Sequence, residues 1–178
     1  IPSVSTDPAY RADVKRAADW LIRHLKQMGL TTELIEKEGR HPLVIWSHGR
    51  TGMRHNYSLL CEALAARGYI VISSDHPGDT LFDWALGTHV DDITNDRNRL
   101  GDVQLLIDGA LGNGLEIVSW LASHVDETQI AVGGHSYGGL TALATVSTLH
   151  EFAPDMRVRA AVLAQGYTRI LPEAMFAT

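Results

Sequence analysis

The chain has almost no cysteine, no excess of positive charge and no long apolar run, and each absence removes a class of function. A single cysteine, Cys61, among 178 residues excludes an intramolecular disulfide and a cysteine-rich metal site. It suits a reducing compartment, and the cytoplasm is the expectation. Fifteen Lys and Arg against 21 Asp and Glu leave a formal charge of -6, and no basic stripe is interleaved with aromatics, which argues against an electrostatic nucleic-acid binder. No apolar stretch approaches the roughly 18 residues needed to span a bilayer, and Ile1-Pro2-Ser3 lacks the charged and apolar parts of a signal peptide. What is present, 45% hydrophobic and 20% charged residues, is ordinary for one soluble domain built on one core. The chain does not begin with Met, so it is expected to be a piece of a longer one.

The hydrophobic pattern gives an α/β order. Between Asp7 and Gly29, Tyr10, Val14, Ala17, Ala18, Leu21, Leu25 and Met28 recur at spacings of three and four, as one face of an amphipathic helix requires. Asp7 and Pro8 suit its start and Gly29 its stop, and its apolar stripe is expected to pack on the sheet. Thr31 to Glu36 reads as a short strand. Leu43-Val44-Ile45-Trp46-Ser47 and Tyr69-Ile70-Val71-Ile72-Ser73 are continuous apolar runs, the mark of parallel strands buried on both faces. The helical spacing of Tyr57 to Arg67, stopped at Gly68, lies between them. Helical character then runs from Leu100 to His124 with a break near Gly109 to Gly114, followed by a strand Gln129 to Gly133, a helix Tyr137 to His150 and a strand Val158 to Ala164. The connection from Asp75 to about Arg99 is longer than the loops of a compact domain, so it is expected to be functional or partly structured. It contains Phe82 and Trp84, so it is expected to wall a substrate pocket rather than to be a solvated linker. The domain boundary is expected near residue 42.

One motif carries chemistry. Gly134-His135-Ser136-Tyr137-Gly138-Gly139 lies where a β-branched strand gives way to a helix, which is the context that the G-x-S-x-G pattern requires. A serine on so sharp a turn has a strained backbone that points its hydroxyl outward, and Gly134 and Gly138 remove side chains where strand and helix approach. The turn also aims the backbone N–H of Tyr137, at a helix N-terminus, toward the place where an oxyanion forms. A second donor is expected from the loop Ser47-His48-Gly49-Arg50 after the first buried strand. Gly49 lets the backbone approach the substrate and the N–H of Arg50 donates, while His48 shapes the loop. His135 is expected to pack beneath the elbow.

From Leu43 to about Gly166 the chain resembles the α/β-hydrolase superfamily, and within it the bacterial dienelactone hydrolases and platelet-activating-factor acetylhydrolase-like esterases. Leu43 to Gly49, Ser74-Asp75-His76-Pro77-Gly78-Asp79-Thr80 and Gly134 to Gly139 carry the resemblance. It implies a three-layer, mostly parallel sheet, truncated at its C-terminal end. It also implies hydrolysis of a carboxylic ester or lactone through an acyl-serine on Ser136, without cofactor or metal. Family members continue through strands that deliver the general-base histidine and the acid, and these are expected beyond Thr178. His150 lies 14 residues after Ser136, about 20 Å along a helix, too far to act as base. His48, His76 and His89 fall at the correct strand ends but read more simply as loop structure.

Residues 1 to about 44 resemble instead the start of zinc dipeptidases of the aminoacylase and carnosine-dipeptidase type, on Ile1 to Pro8, the helix that follows and Thr32 to Val44. Those enzymes use a His-x-Asp pair, whereas His48-Gly49-Arg50 places a cation where a carboxylate is needed. His89-Val90-Asp91 has the spacing without a preceding strand. A zinc peptidase and a non-catalytic assembly module, the latter associating through the open edge of Val158 to Ala164, are the two rival readings.

Overall fold

A computed structural model describes residues 11–27, 29, 39–114, 120–148 and 153–167. The chain divides into two units, Ile1–Gly39 and Arg40–Thr178. In the first, helix α1 spans Arg11–Gln27. It is followed by Gly29 at φ +84°, whose N–H donates to the Lys26 carbonyl, the left-handed stop expected of a C-terminal glycine. Trp20 and His24, one turn apart, stack at 5.2 Å. The expected strand over 31–36 lies outside the described residues.

The second unit is a parallel sheet in the order β2-β1-β3-β4, made from β1 (His41–Ser47), β2 (Ile70–Ser74), β3 (Val125–His135) and β4 (Val158–Ala164). Helices α2 (Ser58–Ala66), α3 (Leu81–Leu86), α4 (Asp92–Ala110) and α5 (Tyr137–Val146) connect and cover it. Alternation along β1 decides what each face touches. Leu43 and Ile45 join Val103 and Ile107 of α4 and Ala142 of α5 in the main core. Val44 and Trp46 instead line an apolar groove of about 490 Å³ with Leu60 and Leu64 of α2. The sheet therefore carries helices on both faces, as the α/β reading requires.

The register aligns the strand ends: Ser47 pairs with Ser74 on one side and Gly134 on the other, and His135 pairs with Ala164. Side chains on the loops leaving this edge are therefore brought together, as in open parallel sheets generally.

The 75–99 connection, too long for a plain loop, is structured: it holds α3 and the first half of α4. Three other expectations need correction. Helix α4 begins at Asp92, capped by Asp91, whose carboxylate accepts from the Thr94 N–H, rather than at Leu100. Its first turns escaped the apolar pattern because the face they bury is polar: Asn95, Asp96 and Arg99 are all buried. β3 starts four residues before Gln129, and α5 stops at Val146. There Ser147 turns extended and its hydroxyl donates back to the Leu143 carbonyl, a local bond that competes with helix continuation. His150 lies outside the described residues.

Candidate active site

The backbone of Ser136 has φ 53° and ψ -116°, a conformation that L-residues avoid and that costs on the order of 1–3 kcal/mol. Close packing holds it there. A Cβ on Gly138 would stand 2.1 Å from the Ser47 carbonyl oxygen, and one on Gly134 would stand 2.4 Å from the Gly138 backbone. The ends of β1 and β3 and the start of α5 thus approach to a distance that only glycine permits. The Ser136 carbonyl accepts from the amides of Gly139, Leu140 and Tyr167, and its own N–H donates to Ala164. Its hydroxyl makes no capping bond to the helix it precedes. Tyr137 is the first residue of α5, so its N–H has no acceptor within the helix.

Ser136 opens onto a polar cleft of about 250 Å³, lined also by Gly49, Arg50, Thr51, Gly52, Asn56, Tyr57 and His135. The 48–52 loop and the elbow are in contact: a Cβ on Gly49 would lie 3.4 Å from that of Ser136. The Gly49 carbonyl is turned away into the protein, where it accepts from the Gly52 N–H at 3.0 Å and from the His48 ring at 2.7 Å. Because a trans peptide is planar, the N–H of Arg50 points the opposite way.

His48 and His76 serve this loop and the next. His48 Nε2 must accept, since its partner is the backbone N–H of His76 at 3.1 Å. Nδ1 is therefore the protonated nitrogen and donates to Gly49. Burial drives the His48 pKa from 6.5 down to about 4, against the pull of the Gly49 carbonyl. His76 is likewise lowered, chiefly by burial, although its Nδ1 faces Asp102 at 2.8 Å. Its Nε2 accepts from the Ser47 hydroxyl at 3.2 Å. Ser47, His76 and Asp102 follow the bond order of a hydrolytic triad, but the Ser47 side chain is buried in β1 and no substrate reaches it. With both ring nitrogens engaged, neither histidine is free to take a proton from Ser136.

The linkage between these histidines and folding has a definite sign. For His48, a folded pKa of about 4 against 6.5 unfolded means that unfolding takes up a proton between those values, and the lowered His76 acts in the same direction. Stability is therefore complete above 6.5 and is lost as the pH falls toward 4. For His48 the loss is up to about 3 kcal/mol. Urea unfolding at pH 7.5 and 4.5 is expected to show it, with a shallower dependence in His48→Gln. Equal free energies at the two pH values would contradict the assignment.

Sequence reasoning missed a polar stripe on α4 that holds the site's loops. Arg99 and Asp79 form a fully buried ion pair at 2.7 Å. Asp79 also accepts from Asn95 and from the Trp84 indole, and Arg99 reaches back to the carbonyls of His48 and Gly49. Asp96 accepts from the Tyr137 hydroxyl at 2.6 Å. The available signal was the spacing of Asn95, Arg99 and Asp102, which share one helical face.

Other expected positions fall as follows. His135 is in the cleft, not beneath the elbow. Its Nδ1 lies 3.5 Å from where a Gly49 Cβ would stand, and its Nε2 faces the Gln165 side chain at 3.2 Å. Phe82 and Trp84 are both exposed, and neither lines the cleft. Trp84 stacks on His89 at 4.0 Å. Asp91, the partner of His89 in the His-x-Asp spacing, spends its carboxylate on capping α4. Among the described residues no three His, Cys, Asp or Glu side chains converge as a metal site would require.

The comparisons with known proteins agree with this frame. Residues 9–84 match the family of platelet-activating factor acetylhydrolase, isoform II. That match begins within the segment expected to resemble zinc dipeptidases, a resemblance that no comparison shows. A ferulic acid esterase from Streptomyces cinnamoneus is 25% identical and superposes with a TM-score of 0.55, over 77% of this chain and 46% of that one. A butyrate-bound thermophilic esterase from the Planctomycetes species Thermogutta terrifontis is 19% identical with a TM-score of 0.53, over 78% and 50%. The chain thus spans about half the length of the solved structures it matches. With a parallel sheet, helices on both faces and a serine elbow at the strand ends, it has the α/β-hydrolase fold.

Proposed function

We propose that the site cleaves carboxylic esters or lactones with Ser136 as nucleophile. The observation that carries this reading is the Ser136 backbone, held at φ 53° with its hydroxyl spared from capping, in a cleft shared with the 49–52 loop. In the first step the Ser136 oxygen bonds to the acyl carbon while the carbonyl π pair moves onto oxygen. The amides of Tyr137 and Arg50 stabilise that negative charge, the largest electrostatic contribution to acyl transfer. The ester C–O bond then breaks, the alcohol departs with the proton given up by the serine, and water cleaves the acyl-serine to acid and free enzyme. Gly49, Gly134 and Gly138 set the approach of the three backbone segments, and His48 orients the loop. His135, with Tyr57 at 5.7 Å, lies on the wall against which the acyl or alcohol group rests. Likeness to a ferulic acid esterase at 25% identity supports an ester substrate.

Treatment with a fluorophosphonate, followed by mass spectrometry of the peptides, tests the assignment. The adduct is expected on Ser136 and is expected to vanish in Ser136→Ala. Equal labelling of the two proteins would end it. Acetylation from p-nitrophenyl acetate is expected to follow the same pattern.

A further inference from the structure

The cleft loops are short and polar, and one buried side chain reaches both of the segments that supply the amides. Arg99 is fully buried. Its Nη1 donates to the His48 carbonyl at 2.8 Å and its Nη2 approaches the Gly49 carbonyl at 3.4 Å. Nε and Nη2 donate to Asp79 at 3.1 and 2.7 Å. Asp79 in turn comes from the 75–80 loop, whose backbone carbonyl at Asp79 accepts from the Thr51 N–H at 3.1 Å. The same guanidinium lies 5.1 Å from the centre of the Tyr137 ring, over which the Arg50 guanidinium also sits at 4.6 Å.

A buried guanidinium is expensive to desolvate, and its planar fork is worth that cost where several acceptors must be held in a fixed relation. Here the acceptors are two successive carbonyls of the loop. Fixing the Gly49 carbonyl fixes the Arg50 N–H in the opposite direction. The ring contacts tie Arg50 and Arg99 to the residue that carries the other amide. We propose that Arg99, held by Asp79, is a positioning residue that sets the Arg50 amide against the Tyr137 amide so that both meet the same developing oxyanion. This role rests on the nucleophile and amide assignment proposed above and adds to it the side chain that preorganises the anion site.

Lysine cannot replace the fork, because a single ammonium group cannot hold two carbonyls and a carboxylate in that arrangement. The full chain, reacted with a fluorophosphonate and analysed for maximal inactivation rate and reagent affinity separately, is expected to give a rate about a hundredfold lower in Arg99→Lys, with affinity changed less than about twofold. The double variant Arg99→Met with Asp79→Leu, which removes both charges of the buried pair, is expected to show the same loss and provides the reading where the lysine variant does not fold. A folded variant of either kind that reacts at the wild-type rate would overturn the proposal. So would failure of both to fold, which would make the pair purely structural. These results leave the Ser136 reading standing. That reading falls only where the wild-type chain is not labelled at Ser136 or Ser136→Ala is labelled equally, and Arg99's role then falls with it.

Discussion

Gly138→Ala is expected to leave the chain unfolded or insoluble at 25 °C. The added carbon would stand 2.1 Å from the Ser47 carbonyl oxygen, 2.7 Å from the Ser47 carbonyl carbon and 2.8 Å from the His48 oxygen. All three are backbone atoms in or next to β1, so no side-chain rotation relieves the clash. The start of α5 would have to withdraw from the sheet, and with it would go the packing of Leu140, Ala142 and Ala144, all buried. The cost is expected to exceed about 4 kcal/mol, against a total stability of about 5–15 kcal/mol for a domain. Gly101→Ala is the matched control. Gly101 lies inside α4, and a Cβ there meets nothing within 4 Å, so alanine is expected to raise stability by about 0.5–1 kcal/mol. Urea unfolding followed by circular dichroism measures both. A soluble, cooperatively folding Gly138→Ala protein would show that the close approach of β1 and α5 is not obligatory.

The second large effect separates stability from positioning. Arg99→Met alone leaves Asp79 buried with only the more distant Arg50 guanidinium, at 3.7 Å, as a cation, and removing one member of a buried pair costs about 3–5 kcal/mol. Adding Asp79→Leu removes the carboxylate as well, and apolar replacement of a whole pair is often close to neutral. The double variant is therefore expected to recover more than half of the loss. The recovery is incomplete because Asn95, Trp84 and the His48 carbonyl lose partners they now have. Unfolding free energies of the two singles and the double form a cycle whose coupling term is expected to be at least about 2 kcal/mol. A double variant no more stable than Arg99→Met would deny that the pair dominates this region.

The legible parts of the fold were those where one physical demand leaves one residue type. Leu43-Val44-Ile45 and Ile70-Val71-Ile72 read as parallel strands because only a strand covered on both faces is apolar at every position. The elbow read from its glycines because Gly134 and Gly138 have no room for a side chain. The first half of α4 did not read, because periodicity arguments look for apolar residues on the buried face. Asn95 and Arg99 are buried through hydrogen bonds to the distant loop that carries Asp79, and Asp96 through one from the Tyr137 hydroxyl of α5. His135 was placed on the wrong side of the elbow for a related reason. Its ring lies against Gly49, some 86 positions earlier, an approach that local spacing does not reveal. Phe82 and Trp84 were drawn to the pocket by their size alone. In the structure the Trp84 indole is held by Asp79, a partner that spacing does not reveal.

The central claim is that the Ser136 hydroxyl faces two backbone amides placed for negative charge. A crystal structure of the chain after reaction with a fluorophosphonate tests it most directly. The account predicts phosphorus bonded to the Ser136 oxygen, with the phosphoryl oxygen within about 3 Å of the amide nitrogens of both Arg50 and Tyr137. Phosphorus on another residue, or a phosphoryl oxygen turned to solvent and out of reach of those amides, would contradict it.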